Sequence, residues 1–269
     1  MKKLSIITIC YNEPNLEKTC ESIMNQSWQD FEWIVIDGGS NDETLAIFDK
    51  YNSRIDKFVS EPDNGIYDAC NKGINLATGK YLNFMNAGDS FFDSNVLEKF
   101  IKQNTSADIL YGNTMMIFRD KPNRVLTYPK IIDIAFFVNN NICTQSVFIK
   151  SDLFKTYGLF DIHYKIASDY DRWLKFLSES RSFCHLSFIV SNYDMNGISS
   201  AQYTQELLQK ENREILLKYF SQEEIDKVLE TRKIEYKPIE YLFSIKNNWT
   251  KSHKIITIFG IQFKINRKH

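Results

Sequence analysis

Three aspartates stand where apolar stretches of the chain break off. Asp37 closes "FEWIVID", Asp89 closes "KYLNFMNAGD", and Asp169 lies in "SDYDRWLKF". Beside Ala87 and Gly88, the carboxylate of Asp89 has room for something large. A hard divalent cation carrying a diphosphate fits such a space, because these ions take oxygen ligands, often only one or two carboxylates, and let phosphates complete the shell. Asp169 suits a different task. With an ordinary carboxyl pKa of about 3.9 it is ionised at neutral pH, so it can take the proton of a hydroxyl as that oxygen attacks. Plain alternatives stand beside both readings. Asp89 can form an Asx turn or cap before "FFDSN", and Ser168, Asp169 and Asp171 suit the first turn of a helix. The glycines of "DGGSND" let a backbone approach a ligand or simply make a tight turn into a helix cap.

The elements that would position these acids alternate. "LSIITICY" (4–11) and "FEWIVID" (31–37) are continuous apolar runs, as in strands buried on both faces. "KFVSEP" (57–62) and "KYLNFM" (80–85) read as further strands. Helical spacing follows each of the first three. Leu16, Cys20, Ile23 and Met24 form one face, and Leu45 and Phe48 another, with Asn41 or Asp42 as cap. Ile66, Ala69, Cys70, Gly73, Ile74 and Ala77 form a third face, ended by Gly79. The other side of that helix carries Tyr67, Asp68, Asn71, Lys72 and Asn75, either a hydrogen-bonding crevice floor or a solvated face with an i,i+4 pair between Asp68 and Lys72.

This order predicts an α/β fold with a mostly parallel sheet flanked by helices. Ligands of such sheets sit at the carboxyl ends of the strands, where Tyr11, Asp37 and Asp89 fall. Residues 107–113, 146–149 and 186–194 read as later strands, and 131–138, 151–156 and 168–179 as helices, with Trp173, Leu174 and Leu177 inward. Beyond about residue 200 the pattern turns helical, then ends in "KIITIFGIQFKINRKH", apolar residues alternating with basic ones.

Composition narrows the function classes. The chain has 269 residues, 43% of them hydrophobic, and a net charge of -1, so no global basic field holds nucleic acid. No apolar run reaches the roughly 18 residues a membrane helix needs, and "MKKLSIITICYNE" reads as a first strand rather than a signal peptide. Five cysteines without a CxxC suggest reduced thiols in apolar surroundings, hence a cytoplasmic setting. There is no HExxH, GxGxxG or GxxxxGKS/T, which argues against a zinc site, a dinucleotide fingerprint and a phosphate loop.

Taken in order, "SIITICYNE", "WQDFEWIVIDGGSNDET", "EPDNGIYDACNKGINLATGKYLNFMNAGDS" and "ASDYDRWLKF" resemble the inverting nucleotide-sugar glycosyltransferases of glycosyltransferase family 2, and most closely bacterial enzymes of capsule, O-antigen or exopolysaccharide synthesis. The resemblance covers about residues 4 to 200. It implies a GT-A fold, with a nucleotide half at about 1–113, an acceptor half at about 114–200, and a helical extension with a basic apolar tail at 201–269. It implies an NDP-sugar donor, a UDP-sugar foremost, with Mn2+ or Mg2+, and a saccharide or lipid-linked saccharide acceptor. By motif match, Thr8, Ile9, Tyr11, Glu13, Asp37 and Gly38 lie along the nucleotide, joined by Asp68, Asn71 and Lys72. Asn86, Ala87 and Gly88 lead to Asp89 as the metal ligand. Asp169 is the general base, with Gln145 and Trp173 on the acceptor side. The chain departs from the pattern in three places. Gly38 stands where a second acid often binds the base, Asn86 and Gly88 where acids often bind the metal, and Ser168 where Glu is common. The tail suits either a terminal strand pair or peripheral contact with the anionic inner face of the plasma membrane. A sugar nucleotidyltransferase and a non-catalytic nucleotide-sugar or glycan-binding module are the rival readings.

Overall fold

The computed structural model describes residues 2–195, 204–230, 243–247, 253–258 and 261–266. The chain forms two compact units, Met1–Tyr219 and Phe220–His269. In the first unit, β1 (Leu4–Cys10), β2 (Glu32–Asp37), β3 (Lys57–Ser60) and β4 (Tyr81–Phe84) run parallel, in the order β3-β2-β1-β4. Every residue of β1, β2 and β4 is buried, which is why those segments read as unbroken apolar runs. Helices α1 (Leu16–Met24), α2 (Asp42–Tyr51) and α3 (Ile66–Leu76) follow the first three strands. On α1 the inward residues are Leu16, Thr19, Cys20 and Ile23, while Met24 is turned outward.

The parallel arrangement stops at β4. The two-residue strand β5 (Ser90–Phe91), helix α4 (Val96–Ile101), long strand β6 (Ile109–Ile117) and short edge strand β7 (Arg124–Leu126) come next. Helix α5 (Ile134–Phe137), a single 3-10 turn (Thr144–Ser146), strand β8 (Val147–Lys150) and helices α6 (Ser151–Tyr157) and α7 (Ser168–Ser178) follow, then β9 (Phe183–Asp194). The sheet continues from β4 as β8-β6-β9-β5, with β8 antiparallel to both of its neighbours. The sheet is therefore parallel in one half and mixed in the other. Because β8 is reversed, the turn that precedes it lies at the edge where β1, β2, β3, β4, β6 and β9 end.

Two glycines are placed for reasons other than a turn. A Cβ at Gly79 would stand 2.4 Å from the Ser5 nitrogen, so this glycine allows the chain entering β4 to pass against β1; α3 has already ended at Leu76. A Cβ at Gly73 would meet Ile7 Cγ2 at 2.4 Å, which sets how closely α3 packs on the sheet. A buried polar cluster fastens the same region. Glu32 accepts from the Ser5 hydroxyl at 2.5 Å and the Thr78 N–H at 2.8 Å, and pairs with Lys57 at 2.8 Å.

Helix α8 (Gln205–Tyr219) belongs to the first unit, beyond the change of pattern near residue 200. Its buried Glu211 accepts from the backbone N–H groups of Lys165, Ile166 and Ala167 at 2.8, 3.1 and 3.1 Å. Lys218 and the Tyr219 hydroxyl reach Asp171 Oδ1 at 2.8 and 2.9 Å, and Arg172 pairs with Oδ2 of the same residue. In the second unit, residues 222–230 are helical. Strands β10 (Phe243–Asn247), β11 (His253–Ile258) and β12 (Ile261–Asn266) form an antiparallel sheet in that order. The tail thus contains the strand pair that its alternation allows, while Gly260 and the basic residues Lys251, Arg267 and Lys268 lie outside the described residues.

Candidate active site

The loops leaving the parallel strands wall a cleft of about 490 Å³. Ile9, Tyr11 and Glu13 come from the end of β1 and its loop, and Asn86, Ala87, Gly88 and Asp89 from the loop after β4. Tyr11 is 66% exposed, a ring held out at the rim. Its loop is tied to the one after β2, since the Asn12 N–H donates to Ser40 Oγ and the Asn41 N–H to Asn12 Oδ1, both at 2.8 Å. Gly88 has φ +93°, and a Cβ there would stand 3.3 Å from the Glu13 carboxyl carbon. Only glycine meets both conditions without strain. Thr19 on α1 holds the same loop, its hydroxyl accepting from the Gly88 N–H and donating to the Asp89 carbonyl.

Asp89 is buried, and both carboxylate oxygens are engaged. Oδ2 accepts from Gln145 Nε2 at 2.7 Å and Oδ1 from the Asp194 N–H at 2.8 Å. Burial pushes its carboxyl up to about 7, against the pull of those donors and of Lys18. Among the described residues no three acid, histidine or cysteine side chains gather as ligands for one ion. The donor set nevertheless suits a sparse site. Asp89 keeps unused lone pairs, and Asn86 Oδ1 is a buried oxygen with no hydrogen-bond partner. One carboxylate and one amide oxygen, with phosphate oxygens completing the shell, fit Mg2+ or Mn2+.

A second cavity, of about 370 Å³, adjoins the first, and Ile66, Asn86, Gln145 and Tyr193 line both. Asp169, at the start of α7, belongs to this cavity. Its Oδ1 accepts from the Tyr170 N–H at 2.8 Å and the Tyr67 hydroxyl at 3.2 Å, and its Oδ2 from Thr144 Oγ1 at 2.8 Å and Asn141 Nδ2 at 3.3 Å. Four donors favour the carboxylate, yet burial outweighs them and raises the pKa above the ordinary value. An acid so shifted is better matched to taking a proton near neutral pH. The Tyr67 hydroxyl, its own pKa pushed well up by burial, stays a donor.

Adjacent residues of one 3-10 turn therefore hold the two acids, Thr144 gripping Asp169 and Gln145 gripping Asp89. The turn is itself pinned. Asn83, a polar residue inside apolar β4, donates through Nδ2 to the carbonyls of Gln145 at 3.1 Å and Val147 at 2.9 Å. On the other side the Ser146 hydroxyl bonds those of Thr114 and Ser191 at 2.7 Å.

Several residues expected along the donor do not line the cleft. Thr8 is buried within β1 and accepts from Trp33 Nε1 at 3.1 Å. Asp37 is buried, its Oδ2 accepting from Ser40 N–H and Ser60 Oγ. Asp68 caps the turn before α3 by accepting from the Asn64 N–H, and Lys72 pairs with Glu61. Asn71 clasps Phe160 by its backbone N–H and carbonyl. Trp173 is fully buried in the core and reaches neither cavity. Gln145 is at the site, but as the partner of Asp89. Sequence reasoning passed over Asp63, a residue of the "DNG" turn. Its Oδ2 lies 2.5 Å from where a Cβ on Gly38 would be, so it fills the place that a side chain at 38 would take. The glycine at 38 was the signal. Tyr67 stands on the helix face read as a crevice floor, and Asn141 and Thr144 lie in the segment that supplied Gln145, whereas Arg119 and Asp194 carried no signal.

The family model described as "Glycosyl transferase family 2" matches residues 5–160. A "PGL/p-HBAD biosynthesis glycosyltransferase" of Mycobacterium bovis is 29% identical over 216 residues, 77% of this chain and 82% of that one. An uncharacterized glycosyltransferase of Rickettsia typhi is 30% identical over 190 residues, 66% of this chain and 59% of that protein. Among solved structures, S. aureus TarS 1-349 in complex with UDP-GlcNAc superposes with a TM-score of 0.65 at 18% identity, over 84% of this chain and 70% of that one. Against a longer TarS structure the chain covers 42% of the other's length. The mannosyltransferase PcManGT from Pyrobaculum calidifontis, in complex with GDP-Man and Mn2+, gives 0.54 at 17% identity over 71% of this chain and 56% of that one. At such identities these structures share the GT-A fold with the chain.

Proposed function

Because the chain belongs to glycosyl transferase family 2, we propose that it is an inverting glycosyltransferase, with a nucleotide sugar in the cleft of Asp89 and an acceptor hydroxyl in the cavity of Asp169. The observation that carries this reading is the Thr144–Gln145 turn, which fixes one acid in each of two adjoining cavities. Tyr11, Asp63 and Glu13 flank the nucleotide, and Asp63 takes the place of the acid missing at position 38. Asn86 and Asp89 would hold a divalent cation, which supplies positive charge to the leaving diphosphate when bound. UDP is the first nucleotide to test, TarS having been solved with UDP-GlcNAc.

Asp169, ionised and held by four donors, accepts the proton of the acceptor hydroxyl. That oxygen bonds to the anomeric carbon while the bond from this carbon to the diphosphate oxygen breaks on the opposite face. The nucleoside diphosphate leaves with the electron pair, and configuration inverts. Thr144 and Asn141 keep Asp169 aimed, and the shared wall at Asn86 and Gln145 brings the two reactants together. The acceptor is a saccharide or lipid-linked saccharide of surface-polysaccharide synthesis, the enzyme working in the cytoplasm with a peripheral membrane contact through its tail. No helix among the described residues is long and apolar enough to cross a membrane. Vesicle co-sedimentation of the full chain against a 1–250 truncation tests the contact, and equal binding would end that idea. The reaction is tested by proton NMR of the product formed from an α-linked UDP-sugar, where a β-linkage is expected. An α-linked product would overturn the single-displacement mechanism.

A further inference from the structure

Among the described residues, the side chains lining the cavity around Asp169 leave few hydrogen-bonding groups free. The Tyr67 hydroxyl, Thr144 Oγ1 and Asn141 Nδ2 all point at Asp169. The Tyr128 hydroxyl pairs with the Cys143 N–H at 3.0 Å and Thr114 Oγ1 at 3.3 Å, and Gln145 Nε2 is engaged with Asp89. Asn86 and Tyr193 stand at the junction with the donor cleft. The rest of the wall is aliphatic or aromatic: Met116, Leu126, Ile142, Ile166, Met195 and Leu208, with Phe160 and Tyr67 as a ring pair 5.4 Å apart. The thiol of Cys143 is held neutral, burial pushing it up to about 12.

A bare sugar would set several hydroxyls against this wall, and each one buried without a partner is costly. Among the described side chains, Asp169 and the unpartnered Asn86 Oδ1 at the junction can take a hydroxyl, and the rest of the wall rewards apolar surface. Building on the glycosyltransferase reading, we infer that the acceptor carries an apolar group within a ring's reach of its reacting hydroxyl, as in an aryl or alkyl glycoside, and that this group supplies most of the acceptor's affinity. The remaining hydroxyls of the ring turn to solvent at the mouth, where Leu126 on β7 is 36% exposed.

The test uses matched phenyl and methyl glycosides of glucose, galactose, mannose, rhamnose and N-acetylglucosamine. Binding to the full chain is measured by saturation-transfer NMR and calorimetry with UDP present, and transfer by release of UDP from UDP-sugars. For at least one sugar the phenyl glycoside should bind ten times more tightly than the methyl glycoside, in keeping with the apolar area it buries. Leu126→Gln and Leu208→Gln, both on the rim and not in the core, should each bring the preference below threefold while leaving UDP affinity unchanged. Equal binding of the two glycosides across the panel would overturn the inference, as would a preference that survives both substitutions. Transfer to methyl and phenyl glycosides with equal KM would leave the glycosyltransferase reading standing and remove the inference. A phenyl preference in binding, with no transfer from any UDP-sugar, would do the reverse.

Discussion

The cleft of Asp89 and the cavity of Asp169 share a wall but are built by different means. The cleft is walled mainly by loops at the ends of parallel strands, short and rich in glycine, acid and amide, with Ile66 and Ala69 of α3 and with Gln145, Tyr193 and Asp194 from the mixed half. Its shape depends on backbone geometry, as at Gly88, and on side chains that tie loop to loop, as Asn12 does. The cavity is made of side chains from α3, β4, β6, β7, β9, α7 and α8 and from residues 141–145, segments far apart in sequence, and its wall is mostly apolar. A phosphate-bearing ligand with fixed geometry can be read by backbone and a few charges.

The sharpest way to separate the two regions is to remove Asp89. Asp89→Ala should weaken metal-dependent UDP binding about a hundredfold, the scale seen when the support of a metal site is lost, and leave phenyl glycoside binding unchanged. Calorimetry with and without Mn2+ checks both arms, and a loss on both sides would merge the two regions into one. On the acceptor side, Glu211→Ala strips three backbone N–H groups of their shared acceptor. Unfolding by urea should then require about 2–3 kcal/mol less, given the cost of buried unpaired donors. Turnover should fall with it, because those groups lie just ahead of Asp169, whereas UDP affinity should hold.

A smaller change tests the proton-accepting role. The base form of Asp169 is its carboxylate, and a hydrogen bond to that form lowers its pKa. Thr144→Val removes one such bond, so the pKa rises and the pH below which kcat declines should move upward by about one unit. A profile that does not move would detach Thr144 from the base. The smallest effect belongs to Gly38→Ala. The added methyl would meet the Asp63 carboxylate, a flexible end that can swing away at little cost in stability. UDP affinity should fall about three- to tenfold, the worth of an ordinary hydrogen bond, with unchanged melting temperature.

This contrast also explains what the sequence disclosed. The parallel strands, three helices and the positions of Tyr11 and Asp89 were legible because each is a local pattern: an apolar run, a helical face, or a polar residue at a strand end; Glu13 and Asn86 came from the resemblance to the family. Asp169 was legible from its acidic helix start. The reversal at β8 was not, since a short buried run carries no mark of its direction. Asn71 and Lys72 have the composition of a binding face, yet their partners, Phe160 and Glu61, lie in other segments and engage them. Asp63 needed the structure, because only in space does it occupy the volume left by Gly38. Gln145 was named from its segment, but that the Thr144–Gln145 turn joins both acids was not legible, its two partners lying 25 residues ahead and 56 behind.

In the proposed reaction Asp89 serves the donor and Asp169 takes the acceptor's proton. Asp169→Asn tests it most directly, by measuring kcat and UDP affinity on the same preparation. The account predicts that UDP binds as in the parent protein while kcat falls by about a hundred- to ten-thousandfold, the usual contribution of a positioned base. Turnover near the parent rate, with binding intact, would contradict it.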